Sequence, residues 1–273
     1  MTEIRRTLAI LKARWPEVTL IVGLYALAVL SNNLFRAARP DLTKTLILLR
    51  IPFSLFSLTL MVVSTILNYG FLRTVYLEGQ KGQTPMALLK KGRSFFWRMI
   101  GFGLPFTIAY FILSWLIFLI IKYFTSIEIG FFETAKVAPW LYQLCFIAPM
   151  LILIKVVLFI PALILVLDCG IFESFKFLRK CKLLDSRELV ALFCLRTALP
   201  FLWVFLRIPY NPETASQYIL RSVPTVIGYV LWLIIAVTAV RFVASLDLVY
   251  DNYLSVSKSE DLPEEQFNSS EED

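Results

Sequence analysis

The chain has 273 residues, 58% hydrophobic and only 17% charged, where a soluble domain carries about 25% charged residues, so the apolar excess calls for lipid and excludes an ordinary soluble globule. Its 27 Lys and Arg against 20 Asp and Glu flank apolar runs and form no single stripe, which excludes a nucleic-acid surface and fits membrane topology signals. Histidine is absent, which excludes Ser-His and Cys-His nucleophile pairs, H-E-x-x-H zinc sites and His-ligated haem.

The first 16 residues place Ile4, Leu8, Leu11 and Trp15 on one helical stripe among Arg5, Arg6, Lys12 and Arg14, the pattern of an interfacial amphipathic helix that Pro16 ends. Residues 17–250 then read as a six-span membrane domain. Span one, 18–35, is free of charge and close to the ~20 residues that a crossing needs. Its full length and long charged approach favour an uncleaved span over a signal peptide. Span two covers 52–71. The basic stretch after it contains Thr84-Pro85, an N-cap and first-turn proline that predict a short amphipathic elbow helix carrying Lys90, Lys91 and Arg93.

Span three covers 99–121 and span four 140–167. At ~1.5 Å per residue, span four exceeds the ~30 Å hydrocarbon core, so it is expected to tilt, to kink at Pro149 or Pro161, or to begin as an interfacial segment. A second elbow carries Arg179, Lys180 and Lys182, and Asp185 with Glu188 forms a capping-box-like start to span five, 189–208. Span six covers 224–249, and 251–273 is an acidic tail expected to be disordered in the cytoplasm. Lys and Arg are about twice as frequent in the connections on the side of the N-terminus as in the opposite ones. Both termini are therefore expected in the cytoplasm, with the chain a multi-pass protein of the cytoplasmic membrane. The fold class expected is an all-α transmembrane bundle with elbow helices on its cytoplasmic side.

The ends of spans two, four and six, ILNYGFLRTVYLEG, ILVLDCGIFESFKF and VASLDLVYDNYLS, share an apolar run, a small or polar break and an amphipathic continuation, as three repeated helix hairpins would. On GFLRTVYLEGQKGQTPMALLKKG after span two and FIPALILVLDCGIFESFKF at the end of span four, the chain resembles a broad group of uncharacterised six-span prokaryotic membrane proteins. That group includes the membrane domain attached to some glycerophosphodiester phosphodiesterases. The resemblance covers spans two to five and implies an architecture. It carries no catalytic signature, so no phosphodiester chemistry comes with it.

An ionisable side chain in a span costs about 2.5–3.5 kcal/mol on insertion scales, which makes each one a candidate for function. Lys155, Arg196 and Arg241 qualify, and Asp168 and Asp247 stand in the same Leu-Asp context at the inner ends of spans four and six. Asp168, Asp247, Arg196 and Arg241 are expected to meet as a buried ion-pair set that fixes helix packing. Lys155 is expected to neutralise, to snorkel to the outer face or to face a polar cavity, the snorkel being the plainest of the three. The basic elbow residues, interleaved with Phe95, Phe96, Trp97, Phe172, Phe175 and Phe177, are candidates for contact with lipid head groups, anionic ones among them. Cys145, Cys169, Cys181 and Cys194 lack C-x-x-C spacing, so neither a metal nor a disulfide framework is expected. No cofactor and no nucleic-acid partner are expected. The function these features favour is non-enzymatic, through contacts with lipids, a membrane-protein partner or a second copy of the chain. The alternative is a transporter or channel for a small anionic solute.

Overall fold

A computed structural model of the chain describes residues 3–37, 44–79, 81–125, 130, 139–182, 186–205 and 215–246. Among the described residues there are nine α-helices and no strand: α1 (Glu3–Ala13), α2 (Trp15–Ala37), α3 (Lys44–Glu78), α4 (Pro85–Thr125), α5 (Pro139–Ile152), α6 (Ile154–Leu167), α7 (Ile171–Leu178), α8 (Arg187–Phe205) and α9 (Ala215–Ala244). The C-terminal tail, Asp185 and Asp247 lie outside the described residues.

Four helices are long and apolar enough to cross a membrane: Trp15–Asn33, Pro52–Glu78, Pro85–Phe124 and Ser222–Ala244. The pair α5 and α6 makes a fifth if its two arms form one bent span. α4 has a mean hydropathy of 2.4 over its most apolar window, of which only 11% is buried. Its bare face includes Leu104, Ile108, Phe111, Ile112, Trp115 and Ile120, far more contiguous apolar surface than a water-soluble protein exposes. The first elbow is not a separate helix. Thr84 Oγ1 accepts from the Ala87 backbone N–H at 3.4 Å and Pro85 opens the helix as expected, but the 41 residues of α4 then continue unbroken into the apolar run. No glycine, proline or missing backbone bond interrupts the join at Trp97 to Ile100, so nothing there ends a helix.

α1 also differs from its expected face. Thr7, Ile10, Leu11 and Arg14 are buried, while Leu8 and Trp15 are exposed. The polar pair faces inward because partners wait there: Thr7 Oγ1 lies 3.1 Å from Thr238 Oγ1, and Arg14 donates to Thr74 Oγ1 at 2.7 Å. The Thr7 bond thereby holds α1 against α9, and Arg14, in the turn after α1, ties the α1–α2 junction to α3.

The long fourth segment bends by 55°, at Leu153 between its two prolines and at neither of them. Leu153 has φ −92° and ψ 10°, the sparsely allowed bridge region. The bonds Leu153 N–H to Pro149 O and Val157 N–H to Leu153 O both survive at about 3 Å. The bend is thus a single-residue change of dihedral, with Pro149 and Pro161 carried inside their helices. Beyond it, α6 is buried on nearly every side from Val157 to Leu167, as a helix apolar all round must be. It packs on α9, with the Phe159 and Phe242 rings 5.5 Å apart.

α3 and α4 cross through two glycines. A Cβ on Gly70 would stand 1.9 Å from Leu88 O, and one on Gly92 1.9 Å from Ile66 O, so only glycine lets these backbones touch. Hydroxyl and amide bonds join the remaining helices: Ser31 to Ser57 at 2.9 Å, Ser64 to Ile21 O at 2.9 Å, and Asn33 Nδ2 to Ser222 Oγ at 2.8 Å. The proposed repeat does not share one shape, because α3 runs straight through Gly70 whereas α6 stops at Asp168.

Candidate functional site

Asp168 closes α6 with a left-handed backbone, φ 54°. Its carboxylate meets Arg98 of α4 at 2.5 Å and Arg73 of α3 at 3.5 Å. Arg73 also donates to the carbonyls of Leu165, and of Val166 at 3.0 Å, satisfying two acceptors that the end of α6 leaves open. Phe95 lies between the two cations, 5.4 Å from the Arg73 guanidinium and 5.6 Å from that of Arg98. Among the described residues Asp168 therefore pairs with neither Arg196 nor Arg241. Asp168 is neutralised by Arg98 and Arg73, and Arg241 pairs instead with Glu3 of α1 at 3.4 Å. Asp247, the fourth expected member, lies outside the described residues.

The chain reverses after Asp168. The Gly170 backbone N–H donates to Glu173 Oε2 at 2.9 Å, opening the eight-residue α7. Ser174 is the buried residue of α7, with Ile171, Phe177 and Leu178 half-buried. Phe172, Phe175, Lys176 and Arg179, spaced i, i+3, i+4 and i+7, form the opposite, exposed face. Phe172 is 87% exposed, and Trp97 of the adjoining α4 is 69% exposed. Lys180 and Lys182 continue the exposed basic surface, and Lys90 and Arg93 are exposed on α4. Lys91 is half-buried and bound to Glu78 at 2.5 Å, so it serves the α3–α4 hairpin and not this surface. Between α6 and α7, burial pushes the Cys169 thiol up to about 11, and the Glu173 carboxylate acts in the same direction.

Arg196 is not part of these ion pairs. It has no ion-pair partner among the described residues, its Nε is buried without an acceptor, and its guanidinium lies 5.2 Å over the Trp232 ring. It lines a half-open cleft of about 230 Å³ between α2, α8 and α9, together with Tyr25, Leu199, Pro224, Gly228 and Trp232. The Tyr25 and Tyr229 rings stack at 3.8 Å in its wall. Lys155 does not line this cleft. It is half-buried at the start of α6, and its charge acts on the buried Cys181 thiol.

Sequence reasoning missed Arg14, the most deeply buried charge, at 1% exposure. It pairs with Glu17, lies 4.6 Å over the Phe71 ring, and bonds Thr74, while Glu17 Oε1 accepts from the Gln83 backbone N–H. The available signal was Glu17 three residues on, across the α1–α2 junction, in place of a purely topological charge. Among the described residues no group of three or more Cys, Asp and Glu is gathered to hold a metal ion.

Among the described residues, these features define an all-helical protein with four or five helices fit to cross a bilayer. No family model, curated protein or solved structure matches it.

Proposed function

We propose that the chain is a non-enzymatic integral protein of the cytoplasmic membrane, with six spans and both termini in the cytoplasm, that works through contact with anionic lipid head groups. The observation carrying this reading is the exposed face of α7, where Phe172 and Phe175 are followed by Lys176 and Arg179. Phenylalanines beside bases suit the boundary between acyl chains and head groups, and each base near an anionic surface contributes about 1 kcal/mol. The sixth span in this reading is α8, whose 19 residues reach ~28 Å, close to the ~30 Å core, with Arg187 and Glu188 at its start. The resemblance to six-span prokaryotic membrane proteins accords with that count.

Lipid co-purification tests the reading. The full chain, extracted from a mixed anionic and zwitterionic membrane, is expected to retain anionic lipid. Changing Lys176, Arg179 and Lys182 together to Gln is expected to weaken that retention on the order of a hundredfold at low salt, at about 1 kcal/mol per charge. Equal retention by the wild type and the triple variant would refute it.

A second reading, binding or transport of a small anion, is favoured by the cleft beside Arg196.

A further inference from the structure

We infer that the cleft between α2, α8 and α9 is a binding site for an amphiphile bearing one carboxylate or phosphate group. Its anionic end would sit on Arg196 and its apolar part would run toward Pro224. This goes beyond the lipid contacts of α7, because the site is inside the bundle and on other helices.

Three observations carry it. The first is the unpaired cation: Arg196 reaches the cleft with no carboxylate against it among the described residues, and its Nε has no acceptor. The other three buried or half-buried arginines among the described residues, Arg14, Arg73 and Arg241, all have acidic partners, so Arg196 is the exception within that set. A guanidinium presents a planar fork of donors matched to carboxylate and phosphate oxygens.

The second is polarity along the cleft. Arg196 is the charged residue of its lining, with Trp232 beside it, while Leu199, Gly228 and Pro224 supply most of the remaining apolar lining, with Thr225 and the Tyr25 and Tyr229 rings also in the wall. The eight residues from Trp232 back to Pro224 on α9 amount to roughly 12 Å of rise. The charged end and the apolar run match a head group followed by a short stretch of chain.

The third is size. A volume of about 230 Å³ falls below the ~300–1,000 Å³ of pockets that enclose drug-sized ligands. A carboxylate or phosphate with several carbons fits, and the half-open side leaves the remainder of a longer chain outside. Gly228 keeps the space clear: a Cβ there would lie 3.6 Å from the Leu199 side chain, an ordinary contact, so alanine fits and a larger side chain fills the cleft.

The test uses the full chain in phosphatidylcholine nanodiscs, titrated with a fatty acid brominated along its chain, with tryptophan quenching as readout. Wild type is expected to show a saturable component that disappears in Trp232→Phe. Arg196→Gln and Gly228→Leu are each expected to raise the half-saturating concentration at least tenfold, and the brominated methyl ester is expected to bind wild type at least tenfold more weakly than the acid. Release of quenching by inorganic phosphate or acetate would identify a water-borne anion as occupant, and release only by phosphatidylglycerol would identify a lipid. The inference is overturned if ester and acid quench alike, or if Arg196→Gln binds the acid as tightly as wild type. Should Arg196→Gln fail to fold, Gly228→Leu decides: its charge is intact, and unchanged quenching would remove the cleft as the site.

Discussion

Asp168 holds a left-handed conformation that costs most L residues about 1–2 kcal/mol and that Asp tolerates better than most. The surroundings offset that cost: Arg98 and Arg73 meet its carboxylate, and Arg73 also takes up the last carbonyls of α6. The importance of Asp168 was legible from its place at the end of an apolar run, and so was that of Arg196 within one. Their partners were not, because Arg73 and Arg98 carry the marks of ordinary flanking charges and only the packing of α3 and α4 onto α6 brings them to Asp168. Arg14 was missed for the same reason, since a basic residue before a first span looks like a topology signal wherever its side chain goes. A residue-scale prediction follows from Cys169. Burial raises its thiol to about 11, so the thiol is neutral at pH 8 and carries about a hundredfold less thiolate than a thiol titrating near 9. Because the folded value is raised, its contribution to stability is present below about pH 9 and lost as pH climbs toward 11. Iodoacetamide at pH 8 in mild detergent should leave Cys169 unmodified, with modification accelerating between pH 9 and 11. Rapid modification of the folded protein at pH 8 would contradict this.

Among the elements, α4 and the α5–α6 pair depart most from what periodicity predicts. Thr84-Pro85 marked the start of α4 correctly, but a change from amphipathic to apolar surface changes what a helix faces without ending it. In α5–α6 the prolines drew attention to Pro149 and Pro161, whereas the bend falls on Leu153, whose dihedral is set by how α6 packs into the core. The two glycines at the α3–α4 crossing stand at the first and last positions of the segment GFLRTVYLEGQKGQTPMALLKKG, yet nothing in their spacing showed that they meet backbone to backbone. Gly92→Ala should therefore destabilise the folded chain by about 1–3 kcal/mol, because Ile66 O is backbone and can yield only if the helices separate. Gly103→Ala on the same helix meets nothing within 4 Å and should be neutral or slightly stabilising, by up to about 1 kcal/mol of helix propensity. Denaturation of the two variants in detergent checks the contrast, and equal stability would show that the crossing tolerates separation.

For the whole molecule, apolar composition and run length made the helical class and four of the crossing helices readable, since both are sums over many residues and insensitive to which face packs. The number of spans was less accessible. α8 mixes Arg187, Glu188 and Arg196 into its length, and α6 is apolar because it is buried in protein, two situations that hydropathy alone cannot separate. What distinguishes the molecule is the exposed apolar surface of α4, with α7 presenting phenylalanine and basic side chains beside it. The most direct measurement of the claim that α7 rests on an anionic leaflet is spin-label depth at Phe172→Cys in a Cys194→Ser background, the other three thiols being buried. In vesicles containing phosphatidylglycerol, power saturation should place the label about 5–10 Å below the head groups and shallower once Lys176, Arg179 and Lys182 are neutralised. A label as accessible to water-soluble relaxant as one in free solution, with or without anionic lipid, would contradict the account.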